Sequence, residues 1–186
     1  MVQALSAIFG IVLSTTALQS PQAAPLSEWV PAQGDRFIAD TKNNVGYIVH
    51  EDGQYTQMLI ATGRREKVHY IGRTYMATTP IAKWTVKAKK IQGDRVTFGK
   101  SGEFLRLYRD GTEYTAYGIH DYKYLDDVLA KDVEGRYFSM GCILVPQNVV
   151  DLLEAAYVLN GNKLDFATVY GLDEATQNAL VAQKQE

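Results

Sequence analysis

The sequence predicts a mainly β fold with a few helices, built as a sandwich or barrel-like sheet. Three observations predict it. Short β-favouring runs recur between about residues 34 and 119, Gly-containing turns separate them, and helical spacing of apolar residues begins only after His120.

The elements follow in order. The run 45–50 is β-favouring, Glu51-Asp52-Gly53 turns the chain, and 54–60 forms the second arm of a hairpin. Residues 82–88 alternate partly, as a half-buried strand does. Gln92-Gly93-Asp94 turns the chain into Arg95-Val96-Thr97-Phe98, read as a short strand. Residues 104–108 alternate again, Asp110-Gly111 turns, and 113–119 supply a further strand. Leu125, Val128, Leu129 and Val133 then fall at helical spacing. Pro146-Gln147-Asn148 opens a second helical run with Val149, Leu152, Leu153, Ala156 and Tyr157 on one face, and Gly161 stops it. Residues 165–170 read as a last strand, and the Ala- and Gln-rich tail from Asp173 as a marginal helix.

The 186 residues give room for one domain of ordinary size and a small extension. Hydrophobic residues at 46% suffice for a core, and a net charge of -2 without a long basic run argues against a nucleic-acid partner. The first 25 residues contain no Asp, Glu, Lys or Arg, and their apolar stretch is too short and interrupted for a comfortable membrane span. It suits a secretory signal peptide cleaved near Ala23 or Ala24, with an N-terminal anchor as the alternative, so export to the periplasm is expected. The expected partition is a leader at 1–24, a Pro-, Ser- and Gln-containing linker at 25–35, a domain at 36–171 and a tail at 172–186.

The single cysteine, Cys142, excludes an intramolecular disulfide and leaves a buried bystander, an intermolecular link or a working thiol. Its neighbourhood favours the thiol. Gly141 directly before it permits a tight turn and close substrate approach. The helix after Pro146 starts a few residues on, and its N-terminus would favour thiolate. An acyl-transfer thiol also needs a base and backbone N–H donors for the oxyanion. His120, at a strand end, is the candidate base; His50 and His69 compete but read more simply as surface residues. Three dispersed His and one Cys offer no recognisable zinc spacing, and no cofactor is expected.

His120 followed by Ser139-Met140-Gly141-Cys142-Ile143, with Thr62-Gly63 and Thr79-Pro80 upstream, resembles the L,D-transpeptidase catalytic domain, also called the YkuD domain, over about residues 36–170. The resemblance implies that Cys142 attacks the amide between an L-centre and terminal D-Ala of a peptidoglycan stem peptide. His120 would accept the thiol proton, the backbone N–H groups of Gly141 and Cys142 would form the oxyanion hole, and the carbonyl of Asp121 would orient the imidazole. The thioester would pass to an amine of a second stem or of a wall-attached protein. Three positions depart from the pattern: Asp121 stands where a small residue is common, Met140 where a second His is common, and Leu144 where Arg or Asn is common. Arg136 is a candidate replacement for the lost polar group, and equally a surface residue. Ser139, Arg136 and Tyr122 are candidates for substrate contact, with turn chemistry for Ser139 and strand packing for the tyrosine as their plainer explanations. The segment 121–138 is a candidate lid. Two alternatives stay open: an L,D-carboxypeptidase or endopeptidase of the same fold, and a non-catalytic wall-binding module.

Overall fold

The computed structural model describes residues 23–172 apart from Ile71. The proposed leader, but for its last two residues, and the tail beyond Leu172 therefore lie outside the described residues. In chain order the elements are β1 (Arg36–Asp40), β2 (Val45–Val49), β3 (Tyr55–Leu59), β4 (Thr62–Gly63), β5 (Lys67–Tyr70), β6 (Arg73–Met76), β7 (Ala82–Ile91), β8 (Glu103–Arg109), β9 (Glu113–His120), α1 (Leu125–Leu129), β10 (Tyr137–Ser139), β11 (Ile143–Leu144), α2 (Gln147–Leu159) and β12 (Leu164–Val169). Among the described residues, no helix is long and apolar enough to cross a membrane.

Eight strands form one sheet in the order β11-β9-β8-β7-β12-β1-β2-β3. The sheet curls far enough that its two ends meet. Ala61, just beyond β3, exchanges both backbone hydrogen bonds with Leu144 of β11, at 3.0 and 2.8 Å. This is the barrel-like, mainly β architecture that the turn-punctuated runs predict. Both Asp-Gly turns form: Gly53 takes φ 91°, while Asp110 and Gly111 take 47° and 73°, the left-handed region a tight hairpin requires.

The concave side holds the main core, including Phe37, Ile48, Leu105, Leu107, Ile119, Ile143 and Phe166, all nearly or wholly buried. Helix α2 closes it with Val149, Val150, Leu153 and Ala156, spaced to lie on one helical face. A second cluster, Ala61, Leu125, Val128 and Leu144, lies under α1.

Two local expectations change. Residues 95–98 are turn rather than strand. The Asp94 carboxylate accepts the backbone N–H groups of Val96 and Thr97 at 2.9 and 3.1 Å, and this local competition replaces a strand ladder. The segment 25–35, expected as a linker, packs on the domain. A 3₁₀ turn at Leu26–Glu28 leads to Trp29, which is 6% exposed, belongs to the main core and stacks on His50 at 3.8 Å. Buried Asp35 meets His50 Nδ1, and its backbone carbonyl accepts Asn160 Nδ2 at 3.0 Å. His50 is thus a partly buried structural residue and not a surface one. His69 is exposed, with Nδ1 3.0 Å from Thr74 Oγ1 in the β5–β6 hairpin.

Candidate active site

The loop Ser139-Met140-Gly141-Cys142 joins β10 to β11 and is strapped on both sides. Strand β10 pairs in parallel with β4, and β11 pairs in parallel with β9. Within the loop, the Ser139 hydroxyl donates to the Cys142 carbonyl at 2.5 Å and accepts the Gly141 N–H at 3.0 Å. The Thr79 hydroxyl donates to the Gly141 carbonyl at 3.0 Å and accepts the Gly63 N–H at 2.9 Å. Tyr75 donates to the Met140 carbonyl at 3.3 Å. Thr62-Gly63 and Thr79-Pro80 are therefore supports for this loop, which gives the sequence signals a physical meaning.

Gly141 adopts φ 118°, a conformation side chains rarely take, and an added Cβ would stand 2.6 Å from the Tyr117 ring. The glycine lets the chain turn there, immediately before Cys142.

Strand register places the chemistry. Arg106 pairs with Gly118, Leu144 with His120, and Ile143 with Ile119. Ile119 and Ile143 face the main core, so Arg106, Gly118, His120 and Leu144 share the other face. Cys142 continues that face opposite Gly118, whose backbone amide favours the thiolate. Sheet spacing and rise then put Cys142 and His120 diagonally apart by roughly 8 Å between Cα atoms, on one face.

Cys142 keeps part of its surface open to solvent. Burial nonetheless pushes its thiol up to about 11, against the opposing effects of the Gly118 amide and the Arg106 charge. His120 is 4% exposed, and burial draws its imidazole down to about 4. Its Nδ1 lies 2.7 Å from the Asp121 carbonyl, an acceptor only, so Nδ1 carries the proton of the neutral ring and Nε2 the lone pair. A second carbonyl, from Thr97, also opposes the effect of burial. Phe98 and Phe104 pack on the ring at centroid distances of 4.8 and 5.5 Å. The resting pair is thus a neutral thiol and a neutral imidazole, the ring held through Nδ1 by the Asp121 carbonyl.

Other sequence candidates sort themselves. Ser139 organises the loop, and the Gly141 N–H predicted for the oxyanion hole is instead taken by its hydroxyl. Arg136 is a correction: it is 7% exposed and donates to the carbonyls of Lys131 and Asn43 at 2.8 and 3.2 Å, so it ties the segment after α1 to the β1–β2 turn rather than facing a cleft. Tyr122 packs against Phe138 and Tyr124 at centroid distances of 5.3 and 5.8 Å. The segment 121–138 folds as α1 and a 3₁₀ turn over the second core. Leu144, which replaces a polar residue of the expected pattern, is buried in that core.

Sequence reading missed Arg106, Phe98 and Phe104. Arg106 alternates with Leu105 and Leu107, so it reads as an ordinary outward strand residue; only its pairing with Gly118 puts it on the sheet face of Cys142, where its charge reaches the thiol. The residues that support the loop also border a cavity of about 130 Å³, whose lining includes Thr62, Gly63, Arg65, Thr78, Thr79 and Tyr170.

The sequence matches the L,D-transpeptidase catalytic domain family over residues 34–163. Among solved structures, the fold is similar to an L,D-transpeptidase of Xylanimonas cellulosilytica, at 18% identity and a TM-score of 0.51, with 74% of this chain and 61% of that chain covered. It is similar to the helical cell shape determining protein Pgp2 of Campylobacter jejuni, at 16% identity and a TM-score of 0.50, covering 83% of this chain and 53% of that chain. Bd1075 of Bdellovibrio bacteriovorus matches at 12% identity and a TM-score of 0.50, covering 82% and 54%. The chain thus spans less than two thirds of the length of each of these structures, and at such identities the likeness concerns the fold. No curated protein matches the chain.

Proposed function

Because the chain belongs to the L,D-transpeptidase catalytic domain family, we propose that it is a peptidoglycan-modifying cysteine acyltransferase with Cys142 as nucleophile and His120 as base. The observation that carries this reading is the strand register. It puts the sulfur and the imidazole on one sheet face, with Nδ1 held by the Asp121 carbonyl.

With both groups neutral at rest, the thiol proton moves to His120 as the sulfur attacks the amide carbon of a stem peptide. The S–C bond forms, the C–N bond breaks, and the imidazolium returns its proton to the leaving amine. The carbonyls of Asp121 and Thr97 stabilise the imidazolium that burial disfavours. The Cys142 N–H is the proposed oxyanion donor, while Ser139 and Thr79 hold the loop that aims it. The thioester then passes to an amine of a second stem or of a wall-attached protein, or to water. This substrate places the protein's work outside the cytoplasmic membrane, in keeping with an exported, periplasmic protein.

One observation favours a second reading. His120 is enclosed by Phe98 and Phe104, and Leu144 supplies no polar group, as a wall-binding module that kept the fold would tolerate. Intact mass after incubation with a stem tetrapeptide or a carbapenem separates the two. An adduct lost in Cys142→Ala supports the enzyme, and no adduct on folded, reduced protein refutes it. Chromatography of muropeptide products then distinguishes cross-linking from carboxypeptidase or endopeptidase activity.

A further inference from the structure

Arg106 lies across Gly118 from Cys142 on the same sheet face, and the Phe104 ring covers Gly118. The Arg106 guanidinium is held in place rather than free. Nη1 donates to the Thr115 carbonyl at 2.8 Å, and the group lies over the Phe104 and Tyr114 rings, 4.6 and 5.0 Å from their centroids. Its Nε is buried and has no hydrogen-bond partner. The residue as a whole is half-buried, so a carboxylate would meet the outer edge of the guanidinium, where a charge-assisted pair is strong. The position two past the cysteine, Leu144, is buried in the second core and offers no charge. The other candidate arginine, Arg136, is more deeply buried and spends both terminal nitrogens on backbone carbonyls.

We propose that Arg106 is the anion-recognising residue of this site, positioning a free carboxylate of the acyl donor beside Cys142. The inference deepens the acyl-transfer reading and rests on it for the identity of the donor, a peptide with an ionised carboxylate near the scissile amide. Arg106 acts here as a positioning and specificity residue: it holds the donor by charge and leaves bond making to the sulfur. A guanidinium fits a carboxylate better than an ammonium does, because its planar N–H groups match the two oxygens.

The test separates the placement of the charge from the activity. Cys142 of the full chain is alkylated with anionic iodoacetate and neutral iodoacetamide at equal pH. Each rate is normalised to a free thiol in the same buffer. A cation beside the sulfur favours iodoacetate by about three- to tenfold at low salt, and added salt erodes the preference in the unaltered protein. Arg106→Gln removes the preference and Arg106→Lys retains most of it. An unaltered protein with no salt-sensitive preference, or an R106Q variant that keeps it, overturns the proposal without reference to turnover. In a second arm, stem tetrapeptides ending in carboxylate or in carboxamide are compared. The unaltered protein favours the carboxylate by about 10- to 100-fold in kcat/KM, mostly through KM, and R106Q loses that preference. If R106Q keeps it, the proposal falls. If no stem peptide is processed while the alkylation preference stands, anion recognition is upheld and the acyl-transfer reading is the one that fails.

Discussion

Replacing His120 by Asn makes the pH dependence of stability a direct probe of the imidazole's surroundings. Burial draws His120 from 6.5 to about 4, so the folded chain holds the ring neutral where the unfolded chain binds a proton. The sign follows: the contribution is complete above pH 6.5 and is lost as pH falls toward 4. A difference of about 2.5 pH units, at about 1.4 kcal/mol per unit, amounts to roughly 3 kcal/mol once the window has been crossed. By about pH 4.5 some 2.5 kcal/mol of it is gone. Urea unfolding at pH about 7.5 and about 4.5 measures this, because a typical slope of about 2 kcal/mol/M converts the loss into a midpoint shift of about 1 M. The variant is less stable at neutral pH, since Phe98 and Phe104 lose a packing partner, but it lacks the acid-dependent part. Equal losses in both proteins between the two pH values would refute the claim that the folded chain keeps this ring neutral.

Further perturbations test the loop, the thiol and the N-terminal segment. Gly141→Ala forces a side chain onto φ 118° and to within 2.6 Å of the Tyr117 ring, and is expected to cost about 2–5 kcal/mol in thermal unfolding; a loss under 1 kcal/mol contradicts the geometry. Iodoacetamide reacts with Cys142 at a rate that keeps climbing with pH past the ordinary thiol range toward about 11, whereas a plateau below pH 9 shows a thiolate the described burial forbids. Trp29→Ala removes a core member stacked on His50 and lowers stability by about 3–5 kcal/mol; a variant within 1 kcal/mol of the parent restores the linker description of residues 25–35.

The parts of the fold written in local chemistry were legible in the sequence. Asp52-Gly53 and Asp110-Gly111 demand positive φ and so announce hairpins, and the spacing of Val149, Leu153 and Ala156 announces α2. What escaped depends on partners distant in the chain. Trp29 reads as linker until β2 brings His50 under it. Val96 and Phe98 look like strand residues, yet the Asp94 carboxylate captures the backbone and Phe98 is spent on His120. Arg136 looks exposed because nothing nearby in sequence reveals the carbonyl of Asn43. The candidate site follows the same rule. Gly141-Cys142 is visible as a motif, whereas Arg106 emerges only when β8, β9 and β11 are laid side by side.

The two hydrogen bonds between Ala61 and Leu144 make β11 the seam along which the curled sheet is fastened. A short zip of this kind is where transient opening starts, and amide exchange at these two residues would report it before the β7–β8 rungs respond. Since Cys142 is attached to the zip itself, each such opening would also loosen the grip on the sulfur and bare an unpaired strand edge to neighbouring molecules. Reactivity and resistance to clumping would thus both answer to this short seam and to the β4–β10 pairing beside it.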